Sequence, residues 1–156
     1  MQYSDRESPN LLRQLLLGLV LFGIVGLVIE LFLLDHTDSF EKWIPLVVLG
    51  ISLFASIGVA IRPGPRMVRF FQGSMALCIA AGALGLYFHY RGNVEFEIER
   101  DSSLHGVKLF WEAIRGATPT LAPGALTQLG LLGLIYSYGH PALRRRDVTG
   151  SSPFAS

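Results

Sequence analysis

The side chain best placed for chemistry is Glu30, the one ionisable group inside an apolar run from Gln14 to Leu34. A carboxylate in such a run marks an ion, proton or substrate contact, or a structural ion pair. Asp35 lies only about one helical turn further on, which places Glu30 close to a membrane surface. Its candidate partners are Arg91, His89 or another subunit, and Glu30, Asp35 and Arg91 together form a candidate ion or partner contact.

His36, His89 and His105 fall on one side of the chain's membrane frame and are weak candidates for a metal. No His-x-x-x-His, His-x-x-Glu or Cys-x-x-Cys accompanies them, so no metal is expected. A haem bundle needs axial histidines within facing helices, whereas the four histidines, with His140, lie at helix ends. Cys78 stands alone within an apolar run and reads as a small apolar side chain. Gln72 and Gln128 are the other strongly polar side chains in the runs, and such amides most often bond across helices. Ser52, Ser56, Ser74 and Thr127 are able to bond their own helix backbones. No phosphate-binding glycine loop and no nucleophile elbow is present. The catalytic set is therefore empty and the cofactor unknown.

These residues sit in a chain of 156 residues that is 51% hydrophobic and only 16% charged, with a mean hydropathy of +0.45, which points to a membrane protein. The net charge of +1 gives no reason to expect nucleic acid as a partner. Four runs, Gln14 to Leu34, Trp43 to Ile61, Phe70 to Phe88 and Ala117 to Gly139, are each about long enough to cross ~30 Å of hydrocarbon as a helix. Barrel strands are shorter and alternate, so the fold expected is all-α. It has four transmembrane helices, at about 12–34, 43–61, 67–89 and 119–139, in a single domain over 1–143. A flexible tail over 144–156 follows. The first run is longer than a signal core and lacks a small-residue cleavage site, so it reads as a retained helix.

Basic residues set the orientation. Arg6, Arg13, Arg62, Arg66, Arg69 and Arg144 to Arg146 make eight on one side, against Lys42, Arg91, Arg100, Lys108 and Arg115 on the other. That imbalance predicts both termini in the cytoplasm of a plasma (inner) membrane. Trp43, Tyr87, Tyr90 and Trp111 would then anchor the outer interface, with Tyr136 and Tyr138 at the inner one. Gly73, Ala76, Ala80, Ala81, Gly82 and Gly85 offer a small-residue surface for helix packing and make the third helix the expected centre of the bundle.

The connection over 90–116 is too long for a turn. Val94-Glu95-Phe96-Glu97-Ile98-Glu99 alternates with period two and predicts a short strand. Ser102 or Ser103 is then placed to cap an amphipathic helix in which Leu104, Val107, Trp111 and Ile114 recur at helical spacing. Such a segment would lie on the outer membrane surface or roof the bundle.

The function expected first is a non-catalytic accessory or scaffolding subunit of a larger membrane complex. Its partners are the lipid bilayer and other membrane subunits, met through the loop 90–116. A small cation or solute transporter component using Glu30 and the acidic outer face is the second expectation. A cofactor-binding membrane redox protein is the third.

Overall fold

A computed structural model describes residues 7–34, 40–116 and 123–144, apart from the side chains of 7–9, 41 and 144. Every regular element among them is helical: α1 (Glu7–Leu33), α2 (Phe40–Ile61), α3 (Pro65–Arg100), α4 (Gly106–Ile114), α5 (Gly124–Ser137) and α6 (Pro141–Arg144). Three of them, α1, α2 and α3, are long and apolar enough to cross a membrane. The chain is therefore read as a multi-pass membrane protein, in which backbone groups satisfy one another along each helix.

Two expected elements take a different form. The strand over 94–99 is absent, because α3 runs for 36 residues, about 54 Å, and ends only at Arg100. Adding residues to an existing helix avoids the cost of a new nucleus, whereas a lone strand leaves its backbone unpaired. Side chains on this segment also favour the helix: Arg91 Nε donates to Glu95 Oε1 at 3.0 Å, and Arg100 Nη2 lies 2.7 Å from Glu97 Oε2. The connection over 90–116 is consequently helix for most of its length. The helix expected over 119–139 is described only from Gly124 to Ser137, 14 residues or about 21 Å. Residues 117–122 and the tail beyond 144 lie outside the described residues.

The helices close a ring in which α1 packs on α2, α2 on α3, α3 on α5, and α5 on α1, while α4 and α6 also lie against α3. Val20 and Ile24 of α1, Leu49, Ala55 and Val59 of α2, Phe71, Met75 and Cys78 of α3, and Leu129 and Tyr136 of α5 form the buried core. Ser52 Oγ and Cys78 Sγ, 3.1 Å apart, join α2 to α3, and Ser56 and Ser74 donate to carbonyls of their own helices at 2.7 and 2.8 Å.

The closest approach is between α3 and α5. Gly85 faces Pro123, Gly82 faces Thr127, Ile79 and Met75 face Gly130, and Phe71 and Met75 face Gly133. Rising numbers on one helix meet falling numbers on the other, so the two run antiparallel. Glycine on both sides removes the side chains that would hold the backbones apart, and dispersion contacts replace them.

The end of α5 is fastened to the start of α1. Gly139 takes a left-handed φ of 58°, turning the chain into α6. Arg13 Nη2 donates to the carbonyls of Gly139 at 3.0 Å and Tyr138 at 3.4 Å. A guanidinium there offsets the negative end of the helix dipole. His140 is buried beside it, stacked obliquely on Tyr136 with ring centres 5.7 Å apart, and its Nδ1 accepts from the Ala142 N–H at 3.2 Å. Burial, and then the charge of Arg13, hold the His140 pKa below the usual histidine value of 6.5. The unfolded chain thus binds a proton at a higher pH than the native one, so stability falls as pH drops below about 6.5 and levels off under the native pKa. In detergent, melting temperature should therefore decline from pH 7 toward pH 5, and His140→Gln should flatten that decline. A wild-type curve already flat over this range would exclude His140 as a buried neutral group.

Candidate functional site

Glu30 is the starting point, and the structure gives it company. An open groove runs between α1 and α5, lined by Leu19, Phe22, Gly26, Leu27, Ala125 and Leu132, with Glu30 and Gln128 as its polar side chains. It encloses about 310 Å³ and opens sideways, away from the core. Gly26 leaves its floor low, since a methyl group there would meet nothing within 4 Å. Gly23 is where the two helices touch, because a methyl there would come 2.8 Å from Leu129 Cδ1.

That contact fixes the relative depth of the two polar groups. Gln128 precedes Leu129, so it lies near the level of Gly23, whereas Glu30 is seven residues further along α1. The carboxylate is therefore roughly 10 Å nearer the α2 end of the groove than the amide. Glu30 is exposed, and among the described residues neither side chain meets a hydrogen-bond partner. A groove with apolar walls and two polar groups about two helical turns apart suits a long, mainly apolar occupant carrying complementary polar groups.

The other candidate residues are distributed differently. Arg91 is exposed and engages Glu95 rather than Glu30. Asp35 and His36 lie outside the described residues. His89 is half-buried on α3, and His105 is exposed with Nδ1 2.6 Å from the Ser103 carbonyl. Among the described residues no three His, Cys, Asp or Glu side chains come together as a metal set. Trp43, Tyr87, Trp111 and Tyr138 are exposed and Tyr90 is half-buried. Tyr136 instead turns inward, its ring edge-on to Phe71 at 5.3 Å. Of the expected packing residues, Gly82 and Gly85 lie against α5 and its N-cap Pro123, Ala81 is half-buried, Ala76 and Ala80 are exposed, and Gly73 faces open space.

A second arrangement lies at the far end of α3. Asn93 is buried and donates from Nδ2 to the Ala113 carbonyl at 2.9 Å, fastening α4 to α3. Glu97 is buried one turn further on, and its contact with Arg100 is close without hydrogen-bond alignment, so the attraction is mainly Coulombic. The serines expected to cap α4 do not do so. Its N-cap is His105, and Gly106 follows with φ of 61°. Ser103 instead donates its N–H and hydroxyl to Asp101 Oδ1 at 3.0 and 2.7 Å, which holds that carboxyl below its usual pKa. A side chain that closes this local turn is no longer available to cap a helix. The signal for Asn93 was present in the sequence as one amide among charged neighbours, but its partner on α4 required the turn at 101–105.

No family model, curated protein or solved structure matches the chain. The described residues are all-α, with three helices long and apolar enough to cross a membrane, and Glu30 near the end of the first lies in the open α1–α5 groove.

Proposed function

We propose that this chain is a non-catalytic subunit of a larger membrane assembly, and that the α1–α5 groove receives a transmembrane helix of another subunit. The observation that carries the reading is Glu30, exposed in an open groove between α1 and α5 on the outside of the bundle, a surface that lipid or another helix would cover. A carboxylate at the edge of the hydrocarbon is unfavourable, and a basic side chain on a neighbouring helix relieves it. The four apolar runs contain no Lys or Arg, and of the cations just beyond them at the Glu30 end Arg91 is engaged by Glu95 and Lys42 also has a partner, so a second copy of this chain offers no spare cation near that level. The partner helix is thus a different protein, with a basic residue opposite Glu30 and a hydrogen-bonding residue about two turns deeper opposite Gln128. An open trough favours a helix over a small ligand, whose pockets enclose most of its surface.

The same reading adopts four crossing helices with both termini in the cytoplasm of a plasma membrane. Its support is the antiparallel match of α5 to α3, the Arg13 bond that ties the start of α1 to the end of α5, and the bias of basic residues.

A photo-crosslinking residue placed at Gly26 in native membranes should give one adduct of defined mass containing a second protein, while the same residue at exposed Phe54 on α2 should not. Recovery of that partner should fall about tenfold in Glu30→Leu and less in Glu30→Asp, since one lost charge pair is worth at least ~1.4 kcal/mol. Adducts at Gly26 that contain only lipid, or only this chain, would overturn the proposal.

A further inference from the structure

We propose that α4 is a lipid-binding anchor, whose Val107, Phe110 and Trp111 enter the outer leaflet while Lys108 and Arg115 bind the phosphates of anionic lipids. The first support is depth. The apolar run of α3 ends at Phe88, and α4 is held just beyond it: the Tyr90 and Phe110 rings are 5.8 Å apart, and Asn93 bonds Ala113. Tyr90 and Asn93 lie only about 3 and 8 Å past Phe88 along the helix. That is where hydrocarbon gives way to headgroups.

The second support is orientation. Ala113 is buried and Leu109 half-buried against α3, which fixes the rotation of α4. Val107 is then 83% exposed, Phe110 48% and Trp111 52%. At 100° per residue these three span an arc of about 100°, and Arg115 and Lys108 follow immediately beside it. Three large apolar side chains on a nine-residue helix are poorly suited to water, but an apolar face flanked by cations is how a helix lies in a membrane surface.

The third support is the placement of the cations. The Arg115 guanidinium carbon sits 5.2 Å from the centre of the Trp111 ring, so the cation is held at the rim of the apolar face with N–H groups left for a phosphate. Lys108 lies two turns away on the same side, about 10 Å along the axis, far enough to meet a separate headgroup. Asp101 feels the charge of Lys108 but spends its Oδ1 on Ser103, and Glu112 is half-buried one turn from Lys108. Neither acid is bonded to Lys108 or Arg115 among the described contacts.

The chain has two tryptophans, so Trp43→Phe leaves Trp111 as the sole reporter. The full-length protein is reconstituted in phosphatidylcholine, or in phosphatidylcholine mixed with phosphatidylglycerol, each with either lipid brominated on its acyl chain. Trp111 emission should be blue-shifted and quenched by shallow bromines, and brominated phosphatidylglycerol should quench about fivefold more effectively per lipid than brominated phosphatidylcholine. Lys108→Gln combined with Arg115→Gln should abolish the preference while leaving the blue shift, which shows that the variant is still folded and inserted. Emission typical of water with no quenching by any lipid would overturn the anchor and leave this face for a protein partner. Equal quenching by the two lipids would overturn the headgroup recognition.

Discussion

Replacing Gly130 by alanine should destabilise the protein by about 1–3 kcal/mol, although alanine is the better helix former. The added methyl would sit 2.5 Å from the Met75 carbonyl oxygen and 3.1 Å from the Ile79 backbone nitrogen. These are backbone atoms of α3, so relief requires the two helices to separate. Separation loses dispersion contacts along the whole α3–α5 seam, which in lipid no hydrophobic gain replaces. Gly82→Ala should behave alike, since its methyl would meet the Thr127 nitrogen at 2.8 Å and the Pro123 oxygen at 2.9 Å. Gly73→Ala, on the same helix and facing open space, should be neutral or stabilising by some tenths of a kcal/mol. Unfolding by graded sodium dodecyl sulfate in mixed micelles measures all three. The opposite signs matter more than the sizes: a Gly130→Ala protein as stable as Gly73→Ala would mean that α3 and α5 do not approach as closely as described.

The same glycines show what the sequence could and could not reveal. A run such as Phe70 to Phe88 is apolar on every side, because lipid and neighbouring helices both accept apolar groups, so it marks a span without marking a face. Small side-chain size therefore selected Ala76 and Ala80 as readily as Gly82, yet the first two are exposed and the third meets Thr127. Period-two alternation misled at Val94 to Glu99 for a related reason. Asn93, Glu97 and Arg100 repeat at four and three residues within the same stretch, and the helix already formed below them decided between the patterns. Glu30 and Gln128 were each conspicuous as polar groups in apolar runs. Their shared groove depends on α5 folding back beside α1, a contact between positions about a hundred residues apart that no local pattern encodes. Arg13 was read for its charge and sidedness, while its bond to the Gly139 carbonyl is equally long-range.

Asn93→Leu should release α4 without unfolding the helices below it. Asn93 is 2% exposed, and its Nδ2 bond to the Ala113 carbonyl crosses from α3 to α4, so leucine removes the donor while keeping a similar volume. Removing one partner of a buried hydrogen bond costs about 1–3 kcal/mol. Gly116 packs directly on the Asn93 side chain, since a methyl there would lie 2.6 Å from its Cγ, and the branched leucine tip disturbs that contact as well. Among the described helices α4 rests chiefly on α3, so the loss falls mainly on the docking of one nine-residue helix and not on the ring. Hydrogen exchange in the reconstituted protein should then rise through 106–114 by roughly tenfold to a hundredfold, as local opening becomes easier by that amount. Exchange in the α3–α5 seam around Gly82 and Gly130 should not change. Protection lost equally in both regions would show that the α3–α4 hairpin and the ring form one cooperative unit, and would require α4 to be counted as part of the core and not as a separately docked helix.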